Sequence, residues 1–230
     1  MLSGTTLLLA LSGGIFPALL WLWFWLKEDK ARPEPRGLIM LAFIAGMITV
    51  PLVVPLEKMA IAISGTMAIQ IILWASIEEL MKYGAAVLTV LRRDAVDEPL
   101  DPIIYMITIA LGFAALENTF FLLNPNLDIF GGIITGNLRF LGATLLHTLA
   151  SASIGLAMAY SFYRNKAIKA IYVVIGIIAS IVLHSLFNFF IINSNGEKIL
   201  TVFAFVWIGI ILLLLSFEKV KRITNLKIRN

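Results

Sequence analysis

The 230-residue sequence contains no cysteine and few charged residues. Without cysteine, the chain has no disulfide, no thiolate metal ligand and no cysteine nucleophile. Charged residues make up 14% of the chain and hydrophobic residues 60%, whereas soluble domains carry roughly 25% and 45–50%. This balance excludes an ordinary soluble domain, and it excludes disorder, because disordered segments are poor in hydrophobic residues. The net charge of +4 is small, and its placement does not indicate a nucleic-acid partner.

The sequence has long apolar runs instead. A membrane-spanning helix needs about 20 mostly apolar residues, and seven such stretches occupy most of the chain, so no room remains for a soluble domain. We therefore predict an all-α, polytopic membrane helix bundle of about seven transmembrane helices, forming one domain (1–230) in the cell membrane. The predicted spans are Leu2–Leu26, Leu38–Leu56, Ile61–Leu91, Pro102–Leu123, Ile129–Tyr163, Ala170–Ile192 and Ile199–Phe217.

Two of these stretches are too long for simple spans. In the third, Gly65 is expected to mark a bend or a short interfacial piece before the helix proper. In the fifth, the same is expected at Gly131, Gly132 and Gly136.

The orientation follows from the placement of positive charge. Most of the 18 Lys and Arg residues follow the first, third, fifth and seventh spans, and short cytoplasmic loops carry the excess of Lys and Arg in membrane proteins. The sequence therefore predicts an N-terminus outside the cell and a cytoplasmic C-terminus.

Six ionisable residues lie within the predicted spans, where each one is costly and is therefore a functional hypothesis. They are Glu78, Glu79, Lys82, Glu117, His147 and His184. At a rise of 1.5 Å per residue, four of them lie roughly 21–25 Å from the cytoplasmic ends of four different spans. These four are Glu78, Glu117, His147 and His184. A shared depth on four helices predicts a common site, somewhat nearer the outer face.

Helical spacing relates these residues to their neighbours. Lys82 is within reach of Glu78 at i,i+4 and of Glu79 at i,i+3, and we interpret it mainly as a structural partner. His184 and Asn188 are also four residues apart and therefore share a helix face.

Two hydrolytic mechanisms fit this set of residues. In the first, His147 and His184 hold a divalent metal, zinc foremost, together with Glu78 and Glu117, and a remaining glutamate is the general base. In the second there is no metal: a glutamate activates water, and His184 and Asn188 stabilise the oxyanion.

Two other classes of function remain open at this point. A proton- or ion-coupled transporter could use the Glu/His groups as an intramembrane relay. Transporters usually contain internal repeats, and the sequence shows none. The polar residues could also join the helices of a scaffold without any chemistry, but one depth shared by four helices makes that reading less favourable.

Short motifs along the chain resemble those of the PrsW intramembrane proteases, within the wider group that contains the type II CAAX prenyl endopeptidases and related bacteriocin-processing and immunity proteins. Taken in order, the motifs extend over nearly the whole chain. They are Phe16-Pro17, Asp29 with Pro33-Glu34-Pro35, Glu78-Glu79-Leu80-Met81-Lys82 (like EExxK), Phe113 to Glu117-Asn118 (like FxxxEN), Arg139 with His147, and His184 with Asn188.

The resemblance implies an intramembrane endopeptidase with a catalytic core at about residues 61–192. Glu78 and Glu79 would be essential, and one of them would activate water beside Glu117 and His147. His184 and Asn188 are similar to the pair that serves the oxyanion in the CAAX-type relatives, which carry a histidine where Glu117 stands. The implied catalytic set is Glu78, Glu79, Glu117, His147, His184 and Asn188, with Lys82 and Asn118 in structural support.

The resemblance also implies partners and a cofactor. The substrate would be a membrane-anchored protein or peptide in the lipid bilayer, such as an anti-sigma factor cut in the first step of a stress response. The expected cofactor is Zn²⁺ or another divalent metal, held by Glu78, Glu117, His147 and His184; the alternative is a glutamate-dependent enzyme without a cofactor.

Overall fold

The computed structural model describes residues 4–29, 32–123, 139–193 and 198–228. Within these ranges the protein is the predicted polytopic helical bundle, built of helices and short connections. The helices are α1 (Gly4–Leu26), α2 (Arg36–Ile63), α3 (Met67–Thr89), α4 (Asp101–Leu122), α5 (Thr144–Ser161), α6 (Lys166–Asn193) and α7 (Ile199–Ile228). One π-helical turn, Arg139–Ala143, precedes α5.

The seven helices correspond to the seven predicted spans. Six of them are long and apolar enough to cross a membrane. Helix α3 is the exception in composition, because it carries the three charged residues Glu78, Glu79 and Lys82. The protein is therefore a multi-pass membrane protein.

The expected break at Gly65 is confirmed. Helix α2 ends at Ile63, and α3 begins at Met67 after Thr66, whose hydroxyl accepts a hydrogen bond from the Ile69 N–H at 3.3 Å. Such a cap satisfies one of the free N–H groups at a helix start. The bend expected at Gly131, Gly132 and Gly136 lies outside the described residues.

Helix α4 is the central helix of the bundle. It packs against α1, α2 and α5 and is almost entirely buried, whereas α1 and α6 turn most of their apolar surface outward. Close packing against α2 depends on glycine: a Cβ on Gly112 would lie 2.0 Å from the carbonyl oxygen of Phe43. Small residues let membrane helices approach closely in this way, so α4 can hold its neighbours around the site.

A group of buried carboxyls joins the ends of α1, α2 and α4. The Glu34 N–H donates to Asp29 Oδ2 at 3.3 Å, the Tyr105 hydroxyl donates to the Glu34 carboxylate, and the Glu98 N–H donates to Asp101 at 2.7 Å. Burial raises the pKa of Asp29 to about 7, and the negative charges of Glu98 and Asp101 add to the shift. These loop carboxyls are therefore most stable in the fold when they keep protons.

The stability of the fold is expected to fall as the pH rises from about 4 to about 7. In this window Asp29 is ionised in the unfolded chain, with a pKa of 3.8, but stays protonated in the fold, with a pKa of about 7. The folded state therefore binds more protons, and the free energy of unfolding decreases by at most about 1.4 kcal/mol per pH unit for this group. The slope of the free energy of unfolding against pH is measured by thermal unfolding in detergent at several pH values.

Asp29→Asn should make this slope shallower, because the amide does not titrate. Asp94→Asn is the matched control, since Asp94 is an exposed carboxylate on the neighbouring loop, and it should leave the slope as in the wild type. Identical slopes for wild type and Asp29→Asn would contradict the assignment.

Candidate active site

Four helices contribute ionisable side chains to one buried cluster. The contributions are Glu78, Glu79 and Lys82 from α3, Glu117 from α4, His147 from α5 and His184 from α6. The structure thus brings together the four residues for which the sequence predicts one depth. Their chemical roles remain predictions at this point.

The carboxylate of Glu78 lies at the centre of the cluster. Its Oε2 atom is 3.8 Å from His147 Nδ1, 3.9 Å from His184 Nε2 and 3.6 Å from Lys82 Nζ. The two imidazole rings meet edge to face, with centroids 5.0 Å apart. Although this oxygen is buried, it has no hydrogen-bond partner. A buried polar atom without a partner is unusual and requires an explanation.

Glu79 differs from Glu78 because its carboxylate has a full set of partners. Oε1 lies 2.9 Å from His184 Nδ1 and accepts from Lys82 Nζ at 2.5 Å. Oε2 accepts from the hydroxyls of Ser151 and Ser180, each at 2.8 Å. A buried charge is tolerated when it is paired and hydrogen-bonded in this way. Glu79 therefore orients His184, whose other nitrogen is turned towards Glu78.

Glu117 makes the corresponding contact with the second histidine. Its Oε2 atom is 3.0 Å from His147 Nε2, so that Nδ1 of His147 is the nitrogen that faces Glu78. The side chain of Glu117 is 22% exposed, against 8% for Glu78. Each histidine thus has one nitrogen on an orienting carboxylate and the other nitrogen beside Glu78.

Lys82 is held between the two adjacent glutamates, as its spacing predicts. Its ammonium is wholly buried and lies closer to Glu79, at 2.5 Å, than to Glu78, at 3.6 Å. It also lies 3.1 Å from His147 Nδ1 and 4.5 Å from the centre of the Phe113 ring. The cation thus balances the charge of Glu79 inside the bundle.

The two asparagines proposed from the sequence lie next to cluster residues along their helices: Asn118 follows Glu117, and Asn188 is four residues after His184. Asn118 is buried and donates to Thr144 Oγ1 at 3.0 Å, which joins α4 to α5 one turn before His147. Asn188 is half-buried and lies one turn beyond His184 on α6. The side chain of Arg139 lies outside the described part of the chain.

Glu57 also belongs to the cluster, and sequence reasoning missed it. Its half-buried carboxyl is close enough to that of Glu78 to interact with it. The predicted second span stops at Leu56, but α2 continues to Ile63 despite Pro51 and Pro55 within it. The longer helix brings Glu57 to the site, and no periodic signal in the sequence marks that end.

The donor set fits a divalent metal ion. One ligand atom from each of Glu78, Glu79, His147 and His184 lies within 4.8 Å of the others. Two imidazoles and one carboxylate are a known catalytic zinc set, and the orienting carboxylates on both histidines are typical of metal ligands. A bound metal would also give the buried Glu78 oxygen the partner that it lacks. The Lys82 ammonium is the one feature that does not fit, because it contacts His147 Nδ1 and would have to move away from it while keeping its contact with Glu79.

Comparison with known proteins assigns the family. A family model described as PrsW family intramembrane metalloprotease matches residues 34–215, a range that includes every residue of the cluster. The chain belongs to the PrsW family. The resemblance predicted from the motifs is thereby confirmed, and the ion-transport alternative is not favoured.

The chain is similar to several curated proteins that carry the name Protease PrsW. The protein of Geobacillus kaustophilus is 28% identical over 160 residues, which cover 68% of this chain and 66% of the relative. The protein of Clostridioides difficile is 23% identical over 210 residues, or 88% and 86% of the two chains. The protein of Oceanobacillus iheyensis is 28% identical over 206 residues, or 86% and 91%. No solved structure matches the chain significantly.

These findings establish the class of protein. It is an intramembrane protease of the PrsW family, and its substrate is a protein in the membrane. The family is described as a metalloprotease, and the buried Glu/Glu/His/His group is one that could bind a metal.

Lys82→Met is expected to destabilise the fold by about 3 kcal/mol, because it leaves the buried Glu79 carboxylate without its cation. Lys58→Met is the matched control, since Lys58 is exposed near the end of α2, and it should melt close to the wild type. Thermal unfolding of both variants in the same detergent gives the comparison. A Lys82→Met protein as stable as the wild type would show that Glu79 is not held as a charged partner.

Proposed function

We propose that this PrsW-family protein hydrolyses a peptide bond of a membrane-anchored protein at the cluster centred on Glu78. The observation that supports the proposal best is the Glu78 Oε2 atom, which is buried without a hydrogen bond and faces Nδ1 of His147 and Nε2 of His184. A site for a small polar ligand is thus enclosed by groups that suit hydrolysis.

The residues that would hold a divalent metal, zinc foremost, are Glu78, His147 and His184. A zinc ion at such a site polarises a carbonyl group and lowers the pKa of water to about 7. Glu79 and Glu117 hold the two imidazoles in the orientation that directs their other nitrogens towards Glu78, and Nδ1 of His147 also contacts Lys82. In this proposal Glu117 is an orienting residue rather than the ligand that the sequence suggests, because its contact is on the far nitrogen of His147.

In this proposal Glu57 is the residue that accepts and then returns a proton. Its carboxyl is close enough to Glu78 to interact with it and is only half-buried, so the proposal places it beside the reacting water and near the outside of the cluster. The water oxygen adds to the peptide carbonyl carbon while its proton moves to the Glu57 carboxylate. The carbon–nitrogen bond then breaks, and that proton is returned to the leaving amine. The Asn188 amide is available to donate to the developing oxyanion.

The substrate would enter on the side of Glu57 and Glu117, the two partly exposed carboxyls. It must be extended there, since the carbonyls of a helix are already hydrogen-bonded. With the N-terminus outside, as the positive charges predict, the cluster lies nearer the outer face. A membrane-anchored anti-sigma factor cut near that face is the substrate class that the family resemblance suggests.

Glu78→Gln should lower the rate of cleavage by at least about a hundredfold while the protein stays folded, because the amide neither binds a metal nor exchanges a proton. The rate is measured in proteoliposomes with a set of single-span membrane proteins, by the appearance of new N-termini. Glu218→Gln, on the exposed end of α7, is the matched control. Cleavage by Glu78→Gln at the wild-type rate would contradict the proposal.

A further inference from the structure

Three cations surround one cavity at the end of the bundle where α3 ends and α6 begins. The cavity has a volume of about 280 Å³. Arg92, Arg93 and Lys169 line one part of it, and much of the rest is apolar, with Leu91, Met158 and Val173 among its walls. Of the residues that the structure describes, no carboxylate lines the cavity; Asp94 follows Arg93 in the chain but is not part of the cavity wall.

The three cations of this cavity form no ion pair within the described part of the chain. Among the residues that the structure describes, none of the three cations has a carboxylate within 4.0 Å. Arg93 Nε donates to the Thr89 carbonyl at 3.1 Å, and Lys169 Nζ lies 5.2 Å from the centre of the Phe162 ring. These contacts hold two of the cations in place without changing their charge.

The cavity lies at the boundary between the membrane and water. It is formed where α3 and α5 end and where α6 begins, and α5 and α6 are both long and apolar enough to span the bilayer. On α6, Lys169 and Val173 are four residues apart on the side that lines the cavity, whereas exposed apolar residues such as Ile171 lie on the opposite side of the helix. The cavity thus combines three cations with apolar walls between membrane helices.

We propose that this cavity binds the headgroup of an anionic phospholipid. Basic pockets between transmembrane helices recognise such headgroups through charge. The phosphate would lie among Arg92, Arg93 and Lys169, and the start of the acyl chains would contact the apolar walls formed by Leu91, Met158 and Val173. The combination of three cations and apolar walls favours a lipid over a soluble anion.

A second groove at the same end of the bundle gives a contrast. It lies between α1 and α2, has a volume of about 360 Å³, and contains Asp29 and Glu34 as well as Arg36. Its mixed charge gives no preference for an anion. The charge selectivity is therefore a property of the Arg92–Arg93–Lys169 cavity and not of every groove at this face.

A lipid in this cavity would contact three of the helices that form the protease site. Helices α3, α5 and α6 also carry Glu78, His147 and His184, at least ten residues along each helix from the end that lines the cavity. The bound headgroup would hold the three helix ends together, so the bilayer composition would contribute to the spacing of the site.

Native mass spectrometry of the whole protein in detergent tests the proposal. The protein is titrated with phosphatidylglycerol or with phosphatidylcholine of the same acyl chains. Wild type is expected to bind phosphatidylglycerol at least about tenfold more tightly. The triple variant Arg92→Gln, Arg93→Gln, Lys169→Gln should lose at least about tenfold in that affinity, since each cation contributes about fivefold, with phosphatidylcholine unchanged.

A matched control removes three exposed cations elsewhere at the same end, in the variant Lys27→Gln, Lys219→Gln, Arg222→Gln. It should bind phosphatidylglycerol as the wild type does. Equal affinity of wild type for the two lipids would overturn the proposal, because it shows that the headgroup charge is not recognised. An equal loss in both triple variants would overturn it too, because it shows a general charge effect. Displacement by inorganic phosphate at equal concentration would assign a soluble anion instead and would also overturn it.

Should the triple variant not fold, the single variants Arg92→Gln and Lys169→Gln replace it. Each is expected to lose about fivefold in affinity for phosphatidylglycerol with a melting temperature close to that of the wild type. Unchanged affinity in both would contradict the proposal.

Discussion

The structure depends on the need to stabilise one negative charge inside a membrane bundle. Glu79 is wholly buried and is surrounded by a lysine of its own helix, a serine of α5, and a serine and a histidine of α6. Losing any of these partners would leave a buried charge partly unsatisfied, which is costly in a medium of low dielectric constant. This network therefore sets how α3, α5 and α6 are rotated against one another, with α4 packed tightly beside them.

The chemistry of the site follows from that rotation. Since Glu79 binds Nδ1 of His184, the Nε2 atom is the nitrogen directed at Glu78. In the same way, the contact of Glu117 with Nε2 of His147 leaves Nδ1 as the nitrogen that faces Glu78 and Lys82. The two adjacent glutamates of α3 thus have different tasks. One is fully paired and positions its neighbours, and the other is left with an unpartnered oxygen between two imidazole nitrogens.

Much of the site could be predicted from the sequence because charges are rare in apolar spans and a helix has a fixed rise. Those two facts were sufficient to place Glu78, Glu117, His147 and His184 together, and helical spacing placed Lys82 against Glu79. Contacts that depend on the rotation of one helix against another could not be predicted. Examples are the hydrogen bond from the Ser180 hydroxyl to Glu79 and which nitrogen of His147 faces Glu78. Glu57 was missed for a different reason, since α2 is longer than its apolar pattern indicates.

X-ray absorption at the zinc edge of the purified, active protein tests the central claim most directly. We predict about one zinc per chain with imidazole ligands, and loss of the metal in His147→Gln and His184→Gln. The chain has only two histidines, so an imidazole signal identifies the site. Full turnover of a protein stripped of metal, or a bound metal without imidazole ligands, would contradict it and would favour a glutamate-dependent mechanism at Glu78.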